Sequence, residues 1–339
     1  FFVMKFSRPF DGYQLYVDGQ RADGDSVSAK KVAIQIHYAS SDQEQIVVKT
    51  ALSSASIEGA KRNMEKEVSG WDFDEIVAQA GSAWEKMLST IRIRGTEEQK
   101  KIFYTNLYHL FVTPSLHSDV DGFYKGADGN IQQAKGYDRY DTFSLWDTYR
   151  TAHPLYTILC PSKVGDMIGS FMAHYDETGR LPVWTMAGNE TNMMIGYHAV
   201  PVLVDAYFKG IPMDAGKVLQ ACVASATVPE RQIDDYMKYG YVPVREGLEW
   251  SLSTTLEYAY DDWCIAQLAK ALGNDEVYKT FSKRAMNWKN TYDPVSTFMR
   301  PKDLDGNFIP GFVAKDYSAP YCESNAWHYF WSVQHDIQG

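Results

Sequence analysis

The sequence has 339 residues and a formal net charge of -10 at pH 7, with 43 acidic and 33 basic side chains. Because phosphate binding requires a basic face, this balance argues against a nucleic-acid partner. The 45% hydrophobic and 22% charged residues are ordinary for a soluble globular protein, and the length suggests two domains. No apolar run approaches the roughly 18 residues of a membrane span, so no transmembrane segment is expected.

Residues 1–58 have the pattern of an antiparallel sheet. Apolar and β-branched runs are separated by Asp-Gly turns at 11–12 and 18–19. Because the strands begin at the first residue, the rest of a β-domain is expected upstream. We therefore interpret residues 1–70 as the C-terminal part of an N-terminal β-domain.

Helical spacing begins at Gly70. Between Gly70 and Ser89 apolar residues recur on one helix face, which predicts a linker helix, and a short strand is expected at 91–95. Residues 71–95 are therefore assigned to the connection between two domains.

From residue 96 to residue 339 the chain is predicted to be mainly helical. Stretches 190–208 and 251–272 are apolar nearly all round and should be buried, whereas neighbouring helices are amphipathic. This alternation suggests paired helices around an axis, an α/α toroid, and a plain helical bundle is the alternative. A Gly/Asp-rich hairpin is expected at 117–133. Further helices are predicted at about 145–159, 163–176, 214–226, 275–291 and 323–337.

Ionisable and aromatic side chains lie inside otherwise apolar patterns between Asp141 and Asp205. A charge in a protein core is costly unless it is paired or used for function. Aromatic rings stack on sugars and charged groups bind their hydroxyls, so the stretch predicts a carbohydrate pocket, although large helical cores use aromatic residues as well. The candidates are Trp146, Asp147, Tyr149, Arg150, Trp184, Glu190, Tyr197 and His198, with Glu190 opening the helix that carries His198.

Two further carboxylates are candidates for chemistry. Glu323 precedes an aromatic helix, where partial desolvation would raise its proton affinity and suit a general acid; helix N-terminal capping is the alternative. Glu257 lies in the middle of a helix and either binds substrate or anchors neighbouring backbone, with anchoring slightly favoured. Asp147 and Arg150 are three residues apart and are expected to share a helix face and pair.

No metal site is predicted from the residues themselves. Asp119 and Asp121 lie in a Gly-rich turn that lacks the ligand spacing of a calcium loop. Walker, GxGxxG and GxSxG motifs are missing from the sequence. The cysteines have no CxxC spacing and are expected to be free thiols: Cys160, Cys222, Cys264 and Cys322.

Four stretches of the sequence are similar to glycoside hydrolase family 92, a family of calcium-dependent, exo-acting bacterial α-mannosidases. They are FSLWDTYRTAHPL, LPVWTMAGNETNMMIGYHAVPVLVDAYFKGI, TLEYAYDDWCIAQLAKALG and ESNAWHYFWSVQHD. The resemblance runs from about Trp71 to the last residue. It implies a multidomain β and α protein, in which the end of an antiparallel β-sandwich precedes the N-terminal part of an (α/α)6 toroid catalytic domain at 96–339.

The resemblance also implies hydrolysis of terminal α-linked mannose, with α-1,2 linkage expected, from N-glycans or mannans with inversion at the anomeric carbon. Glu323 falls on the Glu of the family's E-x-N-A-W motif and is the implied general acid. Asp147 falls on the Asp of the LWD motif and is the implied mannose ligand. The other predicted substrate contacts are Trp146, Arg150, Trp184, Glu190, His198 and Asn325.

By the same resemblance Ca²⁺ is the expected cofactor. Most of its ligands, and the general base, belong to family motifs that follow the last residue of this sequence. The chain is therefore expected to be one piece of a longer protein, or to meet the remainder as a separate chain. The implied location is periplasmic, cell-surface or secreted in bacteria. The alternatives are an inert glycan-binding protein on the same fold and another α/α-toroid carbohydrate enzyme.

Overall fold

The computed structural model describes residues 1–39 and 45–339. Part of the predicted strand region, residues 40–44, lies outside the described residues. The described chain divides into two compact units, a smaller N-terminal unit and a larger helical unit. Their bounds are 1–89 with 119–123 for the first unit, and 90–118 with 124–339 for the second.

The first unit contains antiparallel strands, as the sequence predicts. They are β1 Phe2–Phe6, β2 Gly12–Val17, β3 Gln20–Ala22, β4 Val32–His37 and β5 Val48–Leu52. β1 pairs with β5, and β2 lies between β3 and β4. The register places Phe2 opposite Leu52, and Leu15 opposite both Ala22 and Ile34. That these strands belong to a β-sandwich stays a prediction.

A helix that the sequence analysis missed follows the strands. This helix, α1, spans Ile57–Glu67 and begins after Ser56, whose side chain accepts a hydrogen bond from the Gly59 N–H at 2.9 Å. Ala60 and Met64 are its buried apolar side chains, and most of its other residues are polar. The apolar periodicity is therefore too weak to predict a helix, and the Ser56 cap was the available signal.

Asp119 lies in a turn that belongs to the first unit. Its carboxylate accepts hydrogen bonds from the Ser53 hydroxyl at 2.6 Å and from the Asn63 amide at 2.8 Å. The Gly122 N–H donates to the Asp119 carbonyl at 2.8 Å. The predicted turn is confirmed.

The predicted linker helix is α2, Phe73–Leu88. It begins after Asp72, whose carboxylate accepts two backbone N–H groups of the first turn. The strand predicted at 91–95 is wrong, because these residues pair with no other strand of the described chain. The Ile91 carbonyl accepts instead from the Tyr104 hydroxyl at 3.1 Å. The assignment of a separate linker between two domains stays a prediction.

The remaining chain is mainly helical. Its helices are α3 Glu97–Leu110, α4 Leu145–Thr148, α5 Ala152–Leu159, α6 Pro161–Thr178, α7 Ala199–Phe208, α8 Ala215–Ser225, α9 Ile233–Tyr239, α10 Ser251–Ala271, α11 Asp275–Arg284 and α12 Ala326–Tyr329, with a 3₁₀ helix at Ala285–Asn290. Its short strands are β6 Ser115–Leu116, β7 Phe123–Lys125, β8 Ile131–Gln133, β9 Tyr140–Asp141, β10 Thr185–Met186, β11 Asn189–Glu190, β12 Tyr292–Asp293 and β13 Phe298–Met299. The pairing of β7 with β8 confirms the predicted hairpin.

Helix α10 lies at the centre of the second unit. Buried side chains occur all round it, as its apolar composition predicts. It packs against α7, α8, α11 and the 3₁₀ helix. That these helices form part of an (α/α)6 toroid stays a prediction. Within residues 1–39 and 45–339, no helix combines the length and apolar character needed to cross a membrane.

The helix predicted to open at Glu190 begins instead at Ala199. Asn192 has a left-handed backbone with φ of 53°, which a regular helix does not contain. Gly196 has φ of 78°, and a Cβ added there would lie 2.2 Å from the His198 ring. The apolar pattern therefore continues through a loop, and the prediction extended the helix too far.

The helix predicted at 323–337 is also wrong in extent. Helix α12 contains four residues and begins after Asn325. Trp331 and Ile337 are 79% and 89% exposed, so a longer helix would gain little from burial of its apolar face. Glu323 therefore lies in the loop before α12.

His153 on α5 is buried among aromatic rings. It is 3% exposed, stacks on Phe143 and meets Tyr156 and Phe171 edge-on. Its Nδ1 has no hydrogen-bond partner among the described residues. Burial lowers the pKa of His153 to about 3. The unfolded chain binds the same proton near pH 6.5. The folded protein therefore loses stability as the pH falls from about 6.5 towards 3.

We expect His153→Leu to reduce this acid sensitivity, because Leu fills a similar volume with apolar atoms only. The free energy of unfolding should fall less between about pH 7 and pH 4, by on the order of 3 kcal/mol. Urea unfolding of the full-length protein at both pH values measures the effect. His37→Gln, at an exposed position, is the control. The same pH dependence in His153→Leu and the unaltered protein would contradict the prediction.

Candidate active site

The turn that carries Asp147 forms the first wall of the site. Asp147 is exposed on the short helix α4, and its carboxylate accepts a hydrogen bond from the Ser144 hydroxyl. The Ser144 oxygen in turn accepts from Trp184 Nε1 at 2.8 Å. Ser144 and Trp184 also form an isolated antiparallel β-bridge. The structure therefore brings two predicted contacts, Asp147 and Trp184, to one place and fixes the orientation of the carboxylate.

The predicted ion pair between Asp147 and Arg150 does not form. The Arg150 guanidinium lies over the Tyr149 ring and 3.1 Å from Oε1 of Glu257. The Glu257 side chain is 5% exposed, whereas Asp147 is exposed to solvent. A buried carboxylate needs a cationic partner more than an exposed one does, which explains why Arg150 pairs with Glu257 and not with Asp147.

Glu257 is the polar centre beneath this turn. Its carboxylate accepts hydrogen bonds from Trp146 Nε1 and the Arg150 guanidinium, both at 3.1 Å, and from the Tyr149 hydroxyl at 3.2 Å. His198 Nε2 lies 3.3 Å from its second oxygen. These contacts favour an anchoring role, because little of the carboxylate is left for a ligand. The groups that Glu257 holds are side chains, not the neighbouring backbone expected from the sequence.

His198 was predicted to contact substrate, and the structure places it in the core. The residue is 1% exposed, stacks on the Tyr149 ring at 4.2 Å between centroids, and places Nδ1 2.8 Å from Asp261. Burial lowers the pKa of His198 to about 4 and raises the pKa of Asp261 well above its ordinary value. His198 therefore supports the Tyr149 ring from within the core.

Glu190 was also predicted to contact substrate. Its carboxylate instead accepts backbone N–H groups of Val183, Trp184 and Asn192 at 2.8–3.0 Å. The side chain is 8% exposed. Three backbone donors on one buried carboxylate occupy most of its acceptor capacity, so the structure gives Glu190 the role of fixing the loop that carries Trp184.

Glu323 lies at the second wall of the site. It is exposed, which contradicts the partial desolvation expected from the sequence. Its backbone is left-handed, with φ of 49°, a conformation that costs energy for a residue other than glycine and is common at functional sites. The preceding Cys322 N–H donates to the Ser253 hydroxyl on α10 at 2.8 Å. The backbone on the N-terminal side of Glu323 is thus anchored to the core.

Asn325 follows Glu323 and acts as a helix cap. Its side-chain oxygen accepts the Trp327 N–H at 3.1 Å, and its amide donates to the Lys315 carbonyl at 3.2 Å. The residue is 8% exposed. Both ends of the amide are used, and Asn325 orders the backbone on the C-terminal side of Glu323, while its substrate contact stays a prediction.

The two walls meet at one apolar cluster. Cys322, which precedes Glu323, lies in the same buried cluster as Leu256 on α10, and Trp146, which precedes Asp147, packs against that cluster. The Gln334 amide also donates to the Tyr149 hydroxyl at 3.1 Å. Burial raises the pKa of the Cys322 thiol to about 12, and the negative charge of Glu323 contributes to this rise. The segments that carry Glu323 and Asp147, which are far apart in the sequence, therefore pack together.

Two residues beside this site were not predicted as part of it. Ser144 and Cys322 have no catalytic motif of their own. Ser144 precedes a helical turn, which is the one local signal that could have identified it. No group of three or more His, Cys, Asp and Glu side chains in residues 1–39 and 45–339 is arranged to hold a metal ion.

Comparison with known proteins assigns this chain to a family. The family model of the glycosyl hydrolase family 92 catalytic domain matches residues 59–339. A family GH92 α-mannosidase structure from Bacteroides thetaiotaomicron is 35% identical with a TM-score of 0.92, and the match covers 100% of this chain and 47% of that one. A family GH92 inverting mannosidase from the same organism is 32% identical with a TM-score of 0.91, covering 99% and 47%.

A curated relative is more distant. It is an uncharacterized secreted glycosidase of Arthroderma benhamiae, 25% identical over 312 residues, which cover 85% of this chain and 36% of that protein. The chain thus spans about half the length of the solved relatives and about a third of the curated one. Its backbone, with mixed helix and sheet content, matches the fold of the GH92 mannosidases.

Proposed function

This chain belongs to glycosyl hydrolase family 92, and we propose that its protein removes terminal α-linked mannose from N-glycans or mannans with inversion of anomeric configuration. The observation that carries the proposal is that Cys322 and Trp146, the residues before Glu323 and Asp147, pack in one apolar cluster. The names of the two solved relatives, an α-mannosidase and an inverting mannosidase, support it.

We assign the role of general acid to Glu323. Its side chain is exposed, and its backbone is fixed on both sides by Ser253 and Asn325. An acid in this position protonates the leaving oxygen as the bond to the anomeric carbon breaks.

Asp147 is proposed to bind the mannose that is released. Its carboxylate accepts hydrogen bonds from hydroxyl groups, and Trp146 and Trp184 on either side provide partly buried aromatic surface. The guanidinium of Arg150 remains 45% exposed beside them and completes a polar patch with aromatic walls. The second carboxylate of an inverting pair lies roughly 6.5–9.5 Å from the acid and activates water. No residue of this chain is assigned that role.

Calcium dependence is proposed from the family resemblance alone. Among the described residues, no group of three or more His, Cys, Asp and Glu side chains is arranged to hold a metal ion, and no calcium ligand is assigned to this chain. The roles of Glu323 and Asp147 do not pass through the ion. The remaining proposals from the resemblance are an α-1,2 linkage preference, a β-sandwich beside an (α/α)6 toroid, and a periplasmic, cell-surface or secreted location, the last supported by the name of the secreted relative.

Release of mannose from α-1,2-linked mannobiose tests the proposal. The full-length protein is incubated with the disaccharide, with calcium in one arm and a chelator in the other. We expect mannose release with calcium and a loss of most activity with the chelator. Binding of the disaccharide without release would indicate an inert glycan-binding protein. Cleavage that depends on phosphate, or an unsaturated product, would indicate a different carbohydrate enzyme.

A further inference from the structure

We propose that Glu257 is a positioning residue that holds the turn bearing Asp147 in its sugar-binding orientation. The carboxylate of Glu257 contacts residues on both sides of Asp147 in the sequence. Oε1 accepts from Trp146 before it and from Arg150 after it, and Oε2 accepts from Tyr149. One rigid group on α10 therefore fixes both ends of a short helical turn.

A buried pair of side chains lies behind the Glu257 carboxylate. His198 Nδ1 lies 2.8 Å from Asp261, whereas its Nε2 lies 3.3 Å from Glu257 without forming a hydrogen bond. The His198 ring stacks on Tyr149, one of the donors to Glu257. Asp261 accepts the Tyr197 N–H at 2.7 Å, which ties the pair to the loop before α7. His198 thus supports Glu257 through the Tyr149 ring.

Burial and the existing hydrogen bonds indicate that Glu257 positions the turn and does not contact substrate. The Glu257 side chain is 5% exposed, whereas Asp147 is exposed. The turn is only four residues long, and a helix of that length is not stable without tertiary contacts. On the opposite side, the Ser144 hydroxyl fixes the Asp147 carboxylate. Loss of Glu257 would therefore free the turn while leaving the Asp147 side chain intact.

This inference rests on the proposed function, because it assigns Glu257 a part in binding the sugar through Asp147. Glu257→Gln replaces one acceptor oxygen with an NH₂ group that faces N–H or O–H donors. A displacement of the turn by about 1 Å is expected to lower kcat/KM for α-1,2-mannobiose by about 100-fold. The stability loss should be the smaller effect, and it is measured by thermal unfolding of the same preparation.

A double-mutant cycle separates positioning from general destabilisation. If Glu257 acts through the turn, Glu257→Gln in an Asp147→Asn background should change kcat/KM further by no more than about threefold. Asp262→Asn is the matched control. Asp262 is also a buried carboxylate on α10, but its donors are Tyr197, Tyr236 and Arg284, which are not part of the turn. Asp262→Asn should lower stability and leave kcat/KM of the folded protein within about threefold of the unaltered protein.

The outcomes are distinct. Multiplicative losses in the double variant, or equal kinetic losses in Glu257→Gln and Asp262→Asn, would overturn the inference. If Glu257→Gln does not fold, Tyr149→Phe tests the inference instead, because it removes one donor to Glu257 and keeps the ring. We expect Tyr149→Phe to lower kcat/KM by about tenfold, and this loss should not be additive with that of Asp147→Asn. Unchanged kinetics of Tyr149→Phe would overturn the inference. Absence of mannose release by the unaltered protein would overturn the proposed function, and the inference with it.

Discussion

Glu323→Gln is expected to lower kcat/KM for α-1,2-mannobiose by at least about 1,000-fold, because the leaving sugar then departs without a proton. Gln has nearly the same shape as Glu, and the side chain at this position is exposed, so the fold should be unaffected. An aryl α-mannoside with a good leaving group needs little proton donation. Its hydrolysis should therefore fall much less, and the difference between the two substrates identifies the missing function as that of an acid.

The control for this variant is Glu246→Gln. Glu246 is an exposed carboxylate in the loop before α10, and the same change of charge there should leave kcat/KM within about twofold on both substrates. Equal losses on the disaccharide and the aryl mannoside in Glu323→Gln would contradict the acid role. Retention of activity on the disaccharide would exclude Glu323 as the proton donor.

Arg284→Met is expected to produce the largest loss of stability. Asp262 on α10 is fully buried and accepts from the Arg284 Nε at 2.8 Å, from the Tyr197 hydroxyl at 2.5 Å and from the Tyr236 hydroxyl at 3.0 Å. Removing the guanidinium leaves a buried carboxylate without a cation. Such changes cost roughly 3–5 kcal/mol of unfolding free energy. Urea unfolding of the full-length protein measures the loss.

The pH dependence of that loss provides an internal check. Burial raises the pKa of Asp262 to about 6 in spite of Arg284. A raised carboxyl pKa means that the folded state binds the proton more tightly than the unfolded chain, so protonation supports the fold at low pH and this support is lost as the pH rises from about 4 to 6. Without Arg284 the pKa rises further. The loss caused by Arg284→Met should therefore be smaller at pH 5 than at pH 7.5.

Lys217→Met is the control for the ion pair. Lys217 and Asp176 lie 2.6 Å apart, but their side chains are 40% and 53% exposed, and such surface pairs contribute no more than about 1 kcal/mol. We expect a small loss with no distinctive pH dependence. A loss in Arg284→Met as small as that of Lys217→Met would show that the buried pair contributes little to the fold.

The sequence predicted the family correctly, whereas the roles of Glu323 and Asp147 stay predictions. The resemblance rested on long motifs, and the family match confirms it. Glu323 and Asp147 lie in two of these motifs, and the residues before them, Cys322 and Trp146, pack in one apolar cluster. The buried helix α10 was predicted because a helix that is apolar all round has a simple signature. These features are local in sequence, which is why pattern analysis reaches them.

The internal arrangement of the site was not predictable in the same way. Arg150 was expected to pair with its near neighbour Asp147, but it pairs with Glu257, 107 residues away in the sequence. Spacing along a helix gives the near neighbour, whereas burial decides which carboxylate needs the cation. His198 was predicted as a sugar contact because it is polar in an apolar stretch. That pattern is equally typical of a core residue with a polar partner, here Asp261.

The anomeric configuration of the first mannose released tests the central claim most directly. Full-length protein is mixed with α-1,2-mannobiose in deuterated buffer, and proton NMR spectra are recorded before mutarotation equilibrates the anomers. The proposed inverting mechanism, with Glu323 as acid, predicts that β-mannose is the first product and that α-mannose follows only by mutarotation. Release of α-mannose first would contradict inversion, and no release of mannose would contradict the mannosidase activity itself.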